Sequence, residues 1–114
     1  MEIIIDNKKI IVKSAEWRTE NKPLYPKSGY WWRGVIEIIV DYVNITIDKN
    51  FINDLLCLIF ERNEHKIEFN GKVANFYITT DNLNKLFIEL KNKEVQKLNI
   101  EFVGTNAEVG ESGK

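Results

Sequence analysis

The chain has 114 residues, 44% of them hydrophobic and 29% charged, and a net charge of −1, which predicts one soluble globular domain whose core needs no metal or disulfide. Its single cysteine, Cys57, excludes an internal disulfide and is typical of a reducing compartment. The apolar run after Met1 ends at Asp6, and no apolar stretch approaches the ~18 residues of a membrane span, so the sequence predicts a cytoplasmic protein.

The N terminus is predicted to form a β-hairpin. Residues 3–5 and 9–17 are its two arms, and Asp6 and Asn7 between them tolerate the left-handed backbone of a tight turn. We expect this hairpin to pair with the first half of the long strand described below.

A long loop is predicted from Arg18 to Gly34. Pro23 and Pro26 remove backbone donors, and no helical or strand period continues through this stretch. A loop of this length is uncommon in a compact domain unless it has a function.

The longest extended run, from Arg33 to Asp48, is predicted to be the strand around which the fold is organised. Its apolar face changes between Tyr42 and Val43, and such a slip predicts a bulge or sharp bend. The apolar residues are Ile36, Ile38, Val40 and Tyr42 in the first half and Val43, Ile45 and Ile47 in the second.

Two helices and three strands are predicted after this strand. Asp48 and Asp81 are the expected N-caps of the helices, and Asn70-Gly71 is a strong hairpin signal. The glycine-rich tail, 104–114, is predicted to be disordered, which leaves 1–103 as a single α+β domain. The remaining elements are a helix over 49–62, strands over 65–69 and 72–79, a helix with a stripe at Leu83, Leu86, Phe87 and Leu90, and a strand over 98–102.

A faint repeat indicates how these elements are arranged. Ile45 to Asp48 is echoed by Ile78 to Asp81, with a spacing of 33 residues. Two strand-helix units joined by a tight hairpin give the order β-α-β-β-α-β, so we expect a ferredoxin-like antiparallel sheet with both helices on one face and the N-terminal hairpin added. An α+β sheet with another strand order is the alternative.

The predicted loop and its borders have an unusual composition. All three tryptophans lie there, among tyrosines and arginines, and these residue types carry most binding energy at protein interfaces. Closure of one end of the core is the alternative role. The predicted partner-binding residues are Trp17, Arg18, Tyr25, Tyr30, Trp31, Trp32 and Arg33, with Glu37 and Asp41 as a secondary acidic patch.

The first helix is apolar nearly all the way round, so that Cys57 and Phe60 fall off its main apolar face. Burial beneath the N-terminal hairpin is the favoured explanation, and contact with a second copy in a homodimer, or with another partner, is the alternative.

Catalytic and metal-binding patterns are weak. His65 is the only histidine, and Glu61, Glu64 and His65 do not have a ligand spacing. Cys57 lacks a nearby cationic group to activate its thiol, and Glu37 with Asp41 is more typical of the wet side of a strand than of an acid/base pair. We therefore predict no enzymatic activity, no cofactor and no metal.

The expected function is that of a small non-enzymatic protein that binds and blocks a macromolecular partner. Heavy use of Ile, Asn and Lys favours a low-GC bacterium or its phage, where small proteins without catalytic groups often act as inhibitors. The expected class is a phage anti-defence or anti-CRISPR-type inhibitor, or an immunity protein that neutralises a toxin, and the partner is a nuclease, a toxin or a defence complex.

A nucleic-acid-binding module is the alternative. Residues 1–35 carry seven basic residues against four acidic ones, an excess of +3. Such an excess, combined with aromatic residues, is compatible with phosphate and base contacts. No membrane partner is expected.

Overall fold

The computed structural model describes residues 1–24 and 36–106, and it confirms an α+β class with a seven-stranded antiparallel sheet and two helices. A 3₁₀ turn, Lys49–Phe51, precedes the first helix. The strands are β1 (Glu2–Ile5), β2 (Lys8–Ile11), β3 (Ser14–Leu24), β4 (Ile36–Asp48), β5 (Glu64–Phe69), β6 (Lys72–Tyr77) and β7 (Lys97–Asn106), and the helices are α1 (Ile52–Glu61) and α2 (Thr80–Lys91).

The sheet is strongly curled. Its strand order is β2-β1-β5-β6-β7-β4-β3, so the two strands at its edges, β2 and β3, are consecutive in the chain. Only Val12 and Lys13 separate them, and the Lys13 amide donates to the carbonyl of Thr46 on β4 at 2.8 Å. Because two residues span so short a distance, the opposite ends of the sheet must approach each other, which encloses the main core.

Both predicted tight turns are confirmed. Asp6 and Asn7 have φ values of 52° and 69°, and Asn70 and Gly71 have φ values of 53° and 76°. Two consecutive residues with positive φ form the type of turn whose twist matches antiparallel strands. In both of these turns, Asp, Asn or Gly therefore occupies the positions that need the left-handed conformation.

The predicted loop from Arg18 is wrong in its first part, because residues 18–24 belong to β3. This strand pairs with β4 from Ser14↔Thr46 to Leu24↔Ile36. Residues 14–17 of the predicted second hairpin arm pair with the second half of β4 rather than with its first half, and β1 lies beside β5. β3 is an edge strand, and most of its side chains are polar or charged on both sides of the sheet. The alternation of hydrophobic and polar residues that indicates a half-buried strand is therefore missing.

The predicted bulge in the long strand is also wrong. The pairing of β4 with both β3 and β7 keeps a constant register through Tyr42 and Val43. The side of the sheet that is buried changes instead: Val43 packs in the main core, whereas Tyr42 belongs to a second, smaller cluster on the opposite side. A strand that is covered first on one side and then on the other shows the same shift in hydrophobic phase as a bulge.

The two helices are close to their predicted ranges. Asp48 accepts from the amide of Asn50, as expected, but α2 is capped by Thr79 rather than by Asp81, which lies in its first turn. The buried residues of α1 are Ile52, Leu55, Leu58 and Ile59.

The sequence predicts that the side of α1 with Cys57 and Phe60 is buried beneath the N-terminal hairpin, and this prediction is wrong. Cys57 is exposed and the side chain of Phe60 is 63% exposed. Packing of the hairpin against β5 leaves this side of α1 uncovered by it.

The ferredoxin-like arrangement is not confirmed, and the sheet is larger than that fold. The helix α2 joins β6 and β7, which pair with each other in antiparallel orientation at Tyr77↔Val103. A β-α-β unit joins strands that run in the same direction. The faint repeat therefore does not correspond to two such units, although β4 and β7 do lie side by side as expected.

A close approach between β6 and β7 forms a corner in the sheet. Gly104 is buried, and a Cβ at this position would lie 2.7 Å from the carbonyl oxygen of Asn75 and 3.0 Å from the ring of Phe76. Only glycine fits such an approach without a shift of backbone.

The last strand, β7, continues through Asn106, so it includes the first residues of the tail that is predicted to be disordered. Residues 107–114 lie outside the described part.

Within the described residues, no helix has the length and apolar character required to cross a membrane.

Candidate protein-binding surface

A compact patch lies on the side of β3, β4 and β7 that faces away from the main core. Val40, Tyr42 and Val103 are buried there, with Ile38 packed against them, and none of these residues comes from a helix. We call this set, together with Arg18 and Lys22, the Tyr42 patch. Its existence explains why the first half of β4 is apolar on the side opposite to the main core.

Two cations cover the ring of Tyr42. The guanidinium carbon of Arg18 lies 4.3 Å from the ring centroid, and the Lys22 ammonium lies 5.3 Å from it. Hydrogen bonding to the Tyr42 hydroxyl raises the pKa of the Lys22 side chain above its ordinary value. Long cationic side chains can bury their stems on an aromatic ring while the charge stays in solvent, so the patch presents charged groups on an apolar base.

A polar ladder continues the same side of the sheet toward α2. The amide of Asn44, with its nitrogen toward Glu101, donates to that carboxylate at 3.1 Å and accepts from Arg18 at 3.2 Å. Thr46 donates to Asn99 at 2.8 Å. The bond to Asn44 holds Arg18 from a second direction, so that the Asn44 amide and the Tyr42 ring together position its guanidinium.

Trp17 points to the other side of β3, into the main core. Its ring packs edge-on against Phe76, with centroids 5.1 Å apart, and lies 5.6 Å from the ring of Phe69. The Lys72 ammonium lies 5.5 Å from its centroid. Of the predicted binding residues, Trp17 therefore closes the core, whereas Arg18, its neighbour in sequence, lies on the outer side.

The predicted acidic patch is only partly described. Asp41 is half-buried, and its carboxylate accepts from the hydroxyl of Thr19 at 2.5 Å. It lines a groove of about 360 Å³ with Glu64, Asn75 and Tyr77. Glu37 lies in β4 opposite Pro23, and its side chain is outside the described part. Asp41 is thus engaged within the sheet rather than projecting freely.

Five of the predicted binding residues lie outside the described residues: Tyr25, Tyr30, Trp31, Trp32 and Arg33. The segment that contains them connects Leu24 and Ile36, which are paired at the ends of β3 and β4. The Tyr42 patch lies on these same two strands. Val40, Lys22 and Val103 were not predicted as site residues, and the change of apolar side at Tyr42 was the signal that could have found them.

A second exposed apolar area lies on the helices. Phe60 of α1 stacks on Phe87 of α2, with ring centroids 5.9 Å apart and planes inclined by 9°. Ile88 is 70% exposed. We call these three residues the helix patch.

A buried hydrogen-bonded pair of side chains links the first hairpin to β5. His65 is 2% exposed, and its Nδ1 lies 2.8 Å from a carboxylate oxygen of Asp6, whose other oxygen accepts from the amide of Lys66. Burial opposes ionisation of Asp6, but the hydrogen bonds from His65 and Lys66 outweigh it and hold the carboxyl pKa below its ordinary value. The pair joins the β1–β2 turn to β5.

The basic residues of the N-terminal third do not form one continuous basic side in the described structure. Lys8 and Lys9 lie on β2, at one edge of the sheet, whereas Arg18 and Lys22 lie on β3 and alternate with Glu16 and Glu20. Within the two described ranges, residues 1–24 and 36–106, no group of three or more His, Cys, Asp or Glu side chains is placed to hold a metal ion.

No protein family, curated protein or solved structure matches this chain.

Proposed function

We propose that this chain is a small non-enzymatic protein that binds and blocks a macromolecular partner, and that it does so through the outer side of β3 and β4. The observation that supports the proposal best is the Arg18–Tyr42 stack, at 4.3 Å, over an outer cluster of β4 and β7 side chains that contains no residue of a described helix. Arg and Tyr are residue types that dominate interface energies, and a positioned side chain loses less entropy on binding.

The geometry also supports a role for the aromatic segment. β3 and β4 stay paired as far as Leu24↔Ile36, so a regular two-stranded support leads from the Tyr42 patch to residues 25–35. The proposal includes the tryptophans and tyrosines of that segment, which follows Arg18 and Lys22 in the sequence, as partner contacts. The proposed partner is a protein with a nucleic-acid-processing activity: a phage-defence nuclease, an RNA-guided nuclease complex or a nuclease toxin.

A cleavage assay tests this function. The purified chain is titrated into reactions of a panel of defence nucleases and nuclease toxins, and into plaque assays in hosts that carry the same systems. The proposal predicts stoichiometric inhibition of one class of nuclease and direct binding to that protein in the absence of its substrate. If the chain inhibits none of them, or inhibits only by binding the nucleic acid with an affinity that falls steeply with salt, the proposal is wrong.

Substitutions then test the surface. Replacing Trp31 or Trp32 by Ala is predicted to weaken partner binding by more than ~2 kcal/mol, roughly 30-fold, if that side chain is an anchor. Arg18→Ala is predicted to weaken it as well, whereas Arg62→Ala, a matched change at the exposed end of α1, leaves it unchanged. Trp17→Ala instead lowers the melting temperature, because Trp17 packs on Phe69 and Phe76.

A further inference from the structure

Among the described residues, no strand pairs with the outer edge of β3, which is a long edge of the sheet. The strand has 11 residues, and within residues 1–24 and 36–106 its one strand neighbour is β4. An edge strand presents a row of free N–H and C=O groups that can pair with another strand. The edge strand at the other end, β2, has only 4 residues.

The hydrogen-bonding direction along β3 follows from its ladder with β4. The carbonyl of Thr46 accepts from Lys13, so Thr46 directs its backbone groups toward β3, and Ser14, its register partner, faces β4 in return. Successive residues of an antiparallel strand alternate between the two sides. The residues whose backbone groups face the free edge are therefore Ala15, Trp17, Thr19, Asn21 and Pro23.

The outer side chains of β3 alternate in charge. Glu16, Arg18, Glu20 and Lys22 follow one another at every second position, and Arg18 lies 3.8 Å from Glu20 on the same strand. This order is self-complementary. If two copies of β3 pair antiparallel about a two-fold axis at Thr19, Arg18 faces Glu20 of the second copy and Glu16 faces its Lys22.

Other two-fold registers are less favourable. An axis at Arg18 or Glu20 sets that residue against itself and opposes like charges. An axis at Trp17 or Asn21 leaves two of the four charged residues without an opposite charge. The axis at Thr19 is the register in which all four charges meet opposite ones, and it also turns the free backbone groups of both strands toward each other.

Pro23 limits the extent of this pairing. Its backbone nitrogen faces the free edge and has no hydrogen to donate, as is usual for proline on an edge strand. The ladder between the copies is therefore centred on Trp17, Thr19 and Asn21. Charged residues and proline protect an edge strand from unspecific pairing. Their positions in β3 still allow pairing in the register with the two-fold axis at Thr19.

We propose that two copies of this chain associate through antiparallel pairing of their β3 strands about a two-fold axis at Thr19. The association joins two sheets into one continuous sheet. Residues that face each other across an antiparallel pair lie on the same side, so the two Tyr42 patches lie side by side on one surface. Because opposite charges select the register, the dimer weakens as salt rises.

Charge reversal tests the register. Arg18→Glu sets Glu against Glu20 of the second copy, and Glu20→Arg sets Arg against its Arg18, so each variant alone is predicted to dimerise about tenfold more weakly or worse. A mixture of the two variants restores opposite charges at every contact. The prediction is a heterodimer in sedimentation velocity, and co-purification of differently tagged copies, from two proteins that are each mainly monomeric.

The control is Lys8→Glu, a charge reversal on β2, which leaves the dimer unchanged. A monomeric wild-type chain at low salt, single variants that dimerise like the wild type, or a mixture that stays monomeric would each overturn the proposal. None of these results depends on whether the chain inhibits a nuclease.

A cross-link gives a second measurement that does not alter the charges. At the two-fold axis the two copies of residue 19 lie about 5.5 Å apart between Cα atoms, within the range of a disulfide. Thr19→Cys, in a chain whose native thiol is removed by Cys57→Ser, is predicted to form a disulfide-linked dimer on mild oxidation. Ser14→Cys in the same background, far from the axis, stays unlinked, and equal cross-linking of both variants would contradict the register.

Discussion

At the scale of single residues, Asp6 and Gly104 each meet a structural requirement that depends on the residue type at that position. Asp6 serves the backbone turn through its positive φ and the core through its bonds to His65 and Lys66. Gly104 serves the corner between β6 and β7 by having no side chain. Both positions can be tested with changes that leave the rest of the fold intact.

Asp6→Asn is predicted to lower the free energy of unfolding by about 1–3 kcal/mol at neutral pH, because a buried histidine loses its carboxylate partner. Asn tolerates the positive φ, so the turn is kept. Since the folded-state pKa of Asp6 is depressed, its ionised form stabilises the fold above the ordinary carboxyl value of 3.8, and this contribution is lost as pH falls through the lower folded value.

Denaturant unfolding of both proteins from pH 7 to acid measures this effect. The difference between wild type and variant should shrink at acid pH. Asn7→Asp, at the next turn residue, is the control and changes stability by no more than ~0.5 kcal/mol. A constant difference across this range would show that the charge of Asp6 is not what stabilises the fold.

Gly104→Ala is predicted to destabilise the fold by about 1–3 kcal/mol, since a backbone carbonyl cannot move aside cheaply for the new Cβ. The comparison variant is Gly71→Asn, where nothing lies within 4 Å of an added Cβ and Asn accepts the left-handed backbone. Thermal melts of the two variants should differ clearly. Equal melting temperatures would mean that β6 and β7 do not approach as closely at this corner.

At the scale of elements, the sequence predicts hairpin turns and buried helix faces well, because Asp6-Asn7, Asn70-Gly71 and the stripe of α1 act locally. It does not predict β3, because an edge strand with charged residues at every second position lacks the hydrophobic alternation of a half-buried strand. The order of strands depends on the curl of the whole sheet. No local sequence pattern predicts this curl. The predicted ferredoxin-like strand order is therefore not confirmed.

The candidate site was predictable only in part for the same reason. Composition draws attention to the region of Trp17 and Arg18, but without the strand itself it does not show on which side of β3 each residue lies. Once β3 is in register with β4, alternation places Trp17 in the core and Arg18 on Tyr42. The residues 25–33 of that prediction lie outside the described part.

The two sides of α1 provide a test at this scale. Leu55→Ala is predicted to cost about 2–5 kcal/mol, because Leu55 is fully buried. Phe60→Ala costs no more than about 1 kcal/mol, because the exposed ring loses mainly its stack on Phe87. Chemical denaturation measures both values, and a large loss for Phe60 would indicate that this side of α1 is covered after all.

At the scale of the whole molecule, the two sides of the curled sheet carry hydrophobic clusters of different size. The inner side encloses the main core together with the buried residues of α1 and α2. The outer side of β3, β4 and β7 carries a second small cluster under Arg18 and Lys22. The long β3–β4 pair can thus be stable at its base and available for contact along its outer side.

The helix patch of Phe60, Phe87 and Ile88 is the competing surface for partner binding, because exposed apolar residues also mark interfaces. It lies on the helices, whereas the Tyr42 patch lies on the sheet, so a method that resolves individual segments distinguishes them. Hydrogen exchange does so, since a bound partner slows exchange of the amides that it covers.

The most direct measurement is therefore hydrogen exchange of the chain with and without the proposed nuclease or toxin partner. We predict slower exchange in residues 18–24 and 36–42 on binding, with no change in the helix patch. Protection confined to α1 and α2, with β3 and β4 exchanging as in the free chain, would contradict it.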